Sequence, residues 1–373
     1  MAQSRRVSKN VANRRSFLKK GVLAAGAATL GAGLLGRGRS AYAQQGGLTE
    51  GDIAILRLLA AAEIIETDLW RQYAELGGVQ DQEVSGVQGG NSLYMAALHL
   101  LDGDMPQYIH DNTDDEISHE KFLNAYLISK GAESVDFEHF RTLPSSQATG
   151  ARKHLKRLTN LTQLSVGTSW WVRYRSTMNP DLGATFPDAV PSLNIGQHTA
   201  NPRSDDDTAG STATNITDHL KAIAFTAGFH FGFIEQAGTS LYATLAQKVS
   251  SPEVLRILLS IGGSEIMHFQ TWHDKAGNAT PLTDVDPITG ATVTFTDLTM
   301  NQPETLQANL IFPEPTEFLS PDLPKCAVIR PTGPGQIDAV GAIQGFIKDG
   351  LFIGQPDEFI DLLLRMAARA DQA

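Results

Sequence analysis

Four long segments of the chain carry apolar residues at helical spacing, and each segment has a glutamate inside its apolar part. These glutamates are Glu63, Glu116, Glu235 and Glu265. A carboxylate on the buried face of a helix costs free energy unless it is paired or binds a cation. The four segments therefore predict helices that pack together with their carboxylates facing one shared interior.

Two of the four segments contain the motif Glu-x-x-His. His119 follows Glu116 by three residues, and His268 follows Glu265 by three residues. This spacing is about one helical turn, so the two side chains of each pair point the same way. Either motif alone is typical of a solvated helix edge. Because both motifs lie midway along a long predicted helix, their positions favour a metal site.

The positions of the glutamates along the chain predict that they lie at matching heights. Glu235 and Glu265 are each fifteen residues from Ser250, which lies in the turn between their segments. At about 1.5 Å per residue, both would be roughly 22 Å from that turn in an antiparallel pair of helices. Glu63 and Glu116 are similarly placed about the connection between their own segments. Four carboxylates and two imidazoles are thus expected to meet inside a four-helix bundle.

Capping residues, glycines and prolines divide the chain into predicted elements. The helices are predicted at about 49–77, 91–102, 104–130, 151–176, 215–249, 251–275 and 336–371. Short strands are predicted at 291–298 and around Leu310–Phe312, and residues 177–213 are predicted to be loop. The expected fold class is dominated by α-helices.

The charge of the chain is unevenly distributed. Its formal net charge is −11, but residues 1–43 contain nine of the 30 Lys and Arg and none of the 41 Asp and Glu. The remainder therefore has a formal charge near −20. A protein this acidic is not expected to bind nucleic acid or an anionic membrane through charge.

The basic N-terminus looks like a twin-arginine export signal. It has N-R-R-S-F-L-K at 13–19, a Gly/Ala/Leu run at 21–36, and the small-x-small sequence A-Y-A at 41–43. The run is shorter than the roughly 20 residues that a membrane span needs. We therefore expect recognition by the twin-arginine translocase, cleavage, and a periplasmic or otherwise exported protein without a stable membrane anchor.

The order Glu, Glu-x-x-His, Glu, Glu-x-x-His along four helices resembles the dinuclear carboxylate proteins of the ferritin-like superfamily. The stretch D-E-I-S-H-E-K-F-L, which contains Glu116 and His119, is similar to exported bacterial ferritin-like proteins and to plant desiccation-related proteins. Tyr242 lies seven residues after Glu235, a spacing common in that superfamily, and Trp70 has the same offset from Glu63. The resemblance implies that Trp70 and Tyr242 lie next to the ligand glutamates and hold them in position.

The resemblance implies a site for two divalent metal ions. The implied ligands are Glu63, Glu116, His119, Glu235, Glu265 and His268. Two divalent cations would balance four carboxylates, with both imidazoles neutral. The oxygen and nitrogen donors suit iron or manganese, and iron is the expected metal. Glu66, one turn from Glu63, is the alternative ligand on the first helix.

The chain is predicted to have three parts. Residues 1–43 form the export signal, 48–277 the ferritin-like four-helix bundle, and 278–373 a C-terminal extension of mixed structure. An inserted helical segment at about 132–214 interrupts the bundle, and the pair Trp170–Trp171 is expected to pack this segment onto it.

Three functions are compatible with the sequence. The first is an oxidoreductase that acts on oxygen, peroxide or ferrous ions, so that its partner is a small oxidant or a metal ion. The second is peroxide disproportionation of the manganese-catalase type, which needs no external electron donor. The third is a structural stress or desiccation protein in which metal binding is incidental. The sequence leaves open which of these applies and whether the chain forms a homo-oligomer.

Overall fold

The computed structural model describes residues 47–298, 312–328 and 338–373, and α-helices dominate these residues, as the sequence predicts. The helices are α1 (Glu50–Gly77), α2 (Ser92–Leu98), α3 (Met105–Ser129), α4 (Ser169–Arg175), α5 (Asp218–Ala246), α6 (Pro252–Lys275), α7 (Ala339–Lys348) and α8 (Asp357–Asp371). The strands are β1 (Leu143–Pro144), β2 (Lys156–Arg157), β3 (Leu282–Val285) and β4 (Thr292–Phe295).

Hydroxyl side chains fix the starts of three of the four long helices. Thr49 accepts a hydrogen bond from the backbone N–H of Asp52 at the start of α1, and Thr217 and Ser251 cap α5 and α6 in the same way. These bonds satisfy backbone donors that have no partner within a helix. The boundaries predicted for the long helices are correct to within a few residues.

The four long helices pack as two antiparallel pairs. Gly77, at the end of α1, lies against Ile109 near the start of α3, whereas Arg57 in the second turn of α1 donates to the backbone oxygen of Glu133 just after α3. α5 and α6 pack along their length on either side of the short turn that joins them. Contacts of α1 with α5 and of α3 with α6 bring the pairs together.

The prediction of a helical inserted segment is wrong for most of residues 132–214. In place of a helix at 151–176, the structure has β2, extended chain and only the two turns of α4. Backbone N–H groups here donate to distant parts of the chain: Asn160 donates to the oxygen of Leu351, and Val166 donates to that of Leu193. Long-range partners for the backbone therefore replace the local bonds of a helix.

The inserted segment is anchored to the long helices by aromatic side chains, as predicted for Trp170–Trp171. The Trp170 ring lies 6.1 Å from that of Phe229 on α5 and 5.8 Å from that of Phe269 on α6. A Cβ placed on Gly232 would overlap the Trp170 ring, so this glycine makes room for the indole.

The C-terminal part mixes strands and helices, as predicted. β3 and β4 form an antiparallel pair in which Leu282 lies opposite Phe295. Phe312 is not part of a strand, and Leu310 and Ile311 lie outside the described residues. The terminal helical region is two helices, because Gly350 and Gly354 have positive φ angles of 86° and 93° and interrupt it. The second of them, α8, packs on α1.

Residues Leu48–Ala373 form one compact unit. None of the helices in the described ranges is long and apolar enough to cross a membrane. The predicted export signal and its cleavage site lie outside the described residues.

Candidate metal centre

The structure brings all six predicted ligand residues together in the interior of the four long helices. They form two groups of four, and within each group one ligand atom per residue lies within 4.8 Å of the others. The first group is Glu63, Glu116, His119 and Glu265, and the second is Glu116, Glu235, Glu265 and His268. Because Glu116 and Glu265 belong to both groups, the two candidate ion positions are adjacent and share these carboxylates.

The ends of the centre are formed by one glutamate and one histidine each. His119 Nδ1 lies 3.5 Å from a Glu63 oxygen at one end. His268 Nδ1 lies 3.3 Å from a Glu235 oxygen at the other. The two imidazole rings are 6.2 Å apart. The arrangement is pseudo-symmetric: each position has its own Glu and His, together with the two shared glutamates.

Several buried polar atoms of the centre have no hydrogen-bond partner among the residues that the structure describes. They are Glu63 Oε2, Glu235 Oε2, both carboxylate oxygens of Glu265, and His268 Nδ1. The four glutamates are at most 1% exposed. Buried polar atoms are otherwise nearly always hydrogen-bonded. A set of unpaired oxygen and nitrogen atoms facing one space is what a cation site requires, so these residues can hold metal ions.

The electrostatics of the centre also call for added positive charge. Burial, together with the charge of Glu116, raises the pKa of Glu63 to about 8. Burial and the neighbouring carboxylates raise the pKa of Glu265 well above its usual range. Burial opposes ionisation of Glu116 as well, but the neighbouring imidazoles of His119 and His268 lower its pKa. The carboxylates must therefore bind protons or cations to remain together.

Asp115 orients one of the two imidazoles, and the sequence reasoning did not identify it. Its carboxylate lies 2.9 Å from Nε2 of His268. With the proton on Nε2 donated to Asp115, Nδ1 of His268 presents its lone pair to the centre. A carboxylate behind a metal-binding histidine commonly fixes the tautomer in this way. Asp115 precedes Glu116 directly, but no sequence signal distinguished it from the other acids nearby.

Asn112 connects the shared Glu116 to Glu235 at one end of the centre, and it was also missed. Its Nδ2 donates to Glu116 at 2.8 Å and to Glu235 at 2.9 Å. Its Oδ1 accepts from the indole N–H of Trp272 at 2.8 Å, which fixes the orientation of the amide. Asn112 lies one helical turn before Glu116, so its position on the same face of α3 was the available signal.

Tyr242 contacts the centre, whereas Trp70 lies one layer away. The Tyr242 hydroxyl donates a short hydrogen bond to Oε1 of Glu63. Tyr242 therefore contacts Glu63 on α1, and not Glu235, which lies about two turns earlier on its own helix α5. Trp70 stacks on Trp272, with ring centroids 5.4 Å apart, and its indole N–H has no hydrogen-bond partner among the described residues.

Glu66, the alternative ligand, is buried but belongs to neither group of four. It is 4% exposed, and burial together with the charges of Glu265 and Glu116 raises its pKa well above its usual range. The carboxylate of Glu66 is thus close enough for the charges of the centre to act on it. Glu63, however, is the residue of α1 whose carboxylate oxygen belongs to the first group. The geometry favours Glu63 over Glu66 as the residue from α1.

A third group of possible ligands lies apart from these residues. Asp81 and Glu83, in the loop after α1, approach Nε2 of the buried His110 at 3.8 and 3.5 Å. Asp81 and Glu83 are exposed to solvent. Both carboxylates are already solvated, and we assign no metal to this group.

Neither a family model, nor a curated protein, nor a solved structure matches this chain. The assignment of a function therefore depends on the residues of the centre and on their geometry.

Proposed function

We propose that this protein is an exported, ferritin-like dinuclear-metal protein with oxidoreductase activity toward oxygen, peroxide or ferrous ions. The observation that carries the proposal is the pair of adjacent four-residue groups that share Glu116 and Glu265. Two shared carboxylates would allow two ions to bind side by side, which a mononuclear or purely structural site does not require.

The ligand chemistry supports iron or manganese. Each position would have carboxylate oxygens and one imidazole nitrogen, and no thiolate takes part, since Cys326 is exposed and belongs to neither group. Hard oxygen donors with a single imidazole suit these metals better than a closed zinc site. Iron is the first choice, as the resemblance to ferritin-like proteins implies.

The chain's own residues have definite roles in this proposal. Glu116 and Glu265 would hold both ions, while Glu63 with His119 and Glu235 with His268 would each hold one. Two such ions, when bound, supply a centre that exchanges two electrons with a small oxidant. Four carboxylates balance two divalent ions, so both histidines bind as neutral ligands.

The exposure of the centre supports a small substrate. The glutamates are closed off from solvent, but His119 and His268 remain 9% and 8% exposed. Solvent thus approaches the centre on the side where α3 and α6 present their imidazoles. A centre this deeply buried suits oxygen, peroxide or a metal ion better than a bulky organic substrate.

The first test is the metal content of protein isolated from the exported fraction of its own host. We expect two iron or manganese ions per chain by elemental analysis. Iron together with oxidation of added ferrous ions would support the oxidase. Manganese together with oxygen release from peroxide, without an added electron donor, would support the catalase-type alternative.

A matched pair of variants tests the assignment of residues. His119→Ala should lose bound metal and metal-dependent turnover, because one position then lacks its imidazole. The exposed His154→Ala should retain both. Full metal content and turnover in His119→Ala would refute the proposed centre. Protein from the host that is metal-free and has no such activity would leave the structural stress or desiccation role.

A further inference from the structure

A cavity of about 210 Å³ lies between α1 and the first part of the inserted segment. Five of its lining residues are basic: Arg71, Arg141, Arg152, Lys156 and Arg157. Three are acidic: Asp68, Glu75 and Glu138. The lining therefore has a surplus of two positive charges, although the chain as a whole is acidic.

All three acidic residues are already paired within the protein. Asp68 forms an ion pair with Arg141 at 2.5 Å, and Arg141 also binds Glu138 at 2.7 Å. Glu75 accepts from Nη2 of Arg157 at 2.6 and 2.8 Å. Two arginines thus pair with all three carboxylates, which leaves one net negative charge in this cluster against the three positive charges of Arg71, Arg152 and Lys156.

Asp68 and Glu75 also accept hydrogen bonds from backbone N–H groups. The second oxygen of Asp68 accepts from the N–H groups of Leu158 and Thr159 at 3.0 and 2.9 Å. Glu75 accepts from the backbone N–H of Arg152 at 3.0 Å. These bonds hold β2 and its neighbours against α1, so both carboxylates serve the fold.

Arg71 and Arg152 are the buried cations of the lining that form no direct ion pair, although the charge of Glu120 acts on Arg71 from a greater distance. Their Nε atoms are buried without a hydrogen-bond partner, and neither side chain forms an ion pair with another described residue. Burial lowers the pKa of Arg71; the negative charges of Glu120 and Asp68 oppose this change, and the positive charges of Arg141 and Arg152 add to it. Partly buried guanidinium groups that lack an anion are costly. Some anion from outside the protein would offset this cost.

The surroundings of Arg152 hold its guanidinium in place. Gly86, with a φ of 95°, packs its backbone directly on the Arg152 guanidinium, and a Cβ at this position would overlap it. The buried Val84 contributes an apolar part of the lining. Partial removal from water strengthens the attraction of a guanidinium for an anion.

We propose that this cavity binds a small, doubly charged oxyanion of the phosphate or sulfate type, held by Arg71, Arg152 and Lys156. Guanidinium groups match the oxygen geometry of such anions and can donate two hydrogen bonds each. A dianion equals the charge surplus of the lining. The cavity is too small to enclose a nucleotide. The site is independent of the metal centre, since it shares none of the candidate ligands.

The test is calorimetric titration of the chelator-treated, full-length protein with inorganic phosphate, in a chloride buffer at fixed ionic strength. Chelation removes metal that could itself bind phosphate. We expect one saturable phosphate site per chain, and competition by sulfate but not by acetate. No saturable phosphate binding by the unmodified protein would overturn the proposal.

Variants locate the site. Arg71→Gln and Arg152→Gln should each weaken phosphate binding at least tenfold, and Lys156→Gln, an exposed position, should weaken it several-fold. Arg256→Gln, on the exposed side of α6, is the charge-matched control and should have no effect. Equal phosphate affinity in all four variants would place the anion elsewhere and sink the assignment.

The variants also separate binding from folding. Without phosphate, Arg71→Gln and Arg152→Gln should melt at the same temperature as the unmodified protein or higher, because an unpaired buried charge is removed. At equal phosphate concentration, the unmodified protein and the Arg256→Gln control should gain more melting temperature than Arg71→Gln and Arg152→Gln. Metal content should be unchanged in Arg152→Gln, so this result is independent of the proposed oxidoreductase.

Discussion

Asn112 shows how one neutral side chain can organise a charged centre. It donates to Glu116 and Glu235, which come from different helices, and Trp272 fixes the orientation of its amide. A neutral amide can join two carboxylates without adding a charge that would compete with a metal ion. Its contribution is therefore to position ligands rather than to bind metal.

Asn112→Ala should weaken metal binding about 10- to 100-fold, the usual range when a residue behind a ligand is lost. The reason is that Glu116 and Glu235 both lose a donor that holds them in place. The measurement is a competition titration with a chelator of known affinity. Asn124→Ala on the same helix, which removes only the bond to the N–H of Val135, is the control and should leave metal affinity unchanged. Equal affinities in the two variants would contradict the role of Asn112.

Asp349 is a buried carboxyl outside the centre, and its titration should be visible in stability. Burial raises its pKa to about 8, and one of its oxygens has no hydrogen-bond partner. In the unfolded chain the carboxyl ionises near pH 4. Since the folded-state pKa is the higher one, ionisation favours unfolding, and stability is lost as pH rises from about 4 to about 8.

Asp349→Asn should therefore raise the free energy of unfolding by about 1 to 3 kcal/mol at pH 8. The gain should shrink toward zero near pH 4, where both forms are neutral. A negative charge at the C-terminal end of α7 is also unfavourable to the helix, which acts in the same direction. Urea denaturation at several pH values is the measurement. A gain that does not depend on pH would show that the carboxyl is not the cause.

At the level of elements, helix α5 has no room for a side chain at position 238, beside the candidate centre. Gly238 lies one turn after Glu235, and a Cβ there would approach a Glu265 oxygen to 2.7 Å. Glycine normally destabilises a helix interior, so its presence here has a local reason. Because α5 and α6 approach closely here, the space that a side chain at position 238 would fill is taken by the Glu265 carboxylate.

Gly238→Ala should lower metal occupancy while the protein stays folded, because the added methyl group displaces the carboxylate of Glu265. Gly263→Ala on α6 is the control, since no atom lies within 4 Å of a Cβ at that position. The control should retain its metal and gain about 0.5 to 1 kcal/mol of stability from the better helix former. Elemental analysis and thermal denaturation of both variants test this. Full metal occupancy in Gly238→Ala would argue that Glu265 is not a ligand.

At the level of the whole molecule, the proposed metal couples four helices that are far apart in sequence. Its ligands come from α1, α3, α5 and α6, so binding should stabilise the folded state as a whole. The stabilisation follows the ratio of free metal to its dissociation constant and is about 4 kcal/mol at a thousandfold excess.

Chelation should therefore lower the melting temperature of the loaded protein, and readdition of iron or manganese should restore it. Glu235→Gln, which weakens one of the two positions, should show a smaller metal-dependent change. Scanning calorimetry with and without chelator gives the measurement. A melting temperature indifferent to metal would favour the structural role.

The sequence by itself determined the four long helices and the residues that meet inside them. Helical periodicity, hydroxyl caps and glycine stops are local signals, and a glutamate in each apolar part was visible without coordinates. The equal spacing of Glu235 and Glu265 from Ser250 was enough to predict that these two carboxylates lie at the same height along the helix pair, because the rise per residue of a helix is fixed.

Only the tertiary structure decided what depends on contacts between distant residues. The segment predicted as a helix at 151–176 is mostly extended, since its backbone bonds go to other parts of the chain. The tertiary structure also decided the contacts of Asn112 with Glu235 and of Asp115 with His268, which are far apart in sequence. It likewise decided that Arg71 and Arg152 form no direct ion pair. Their roles follow from which groups the fold leaves with a partner and which it does not, and no local pattern of residues carries that information.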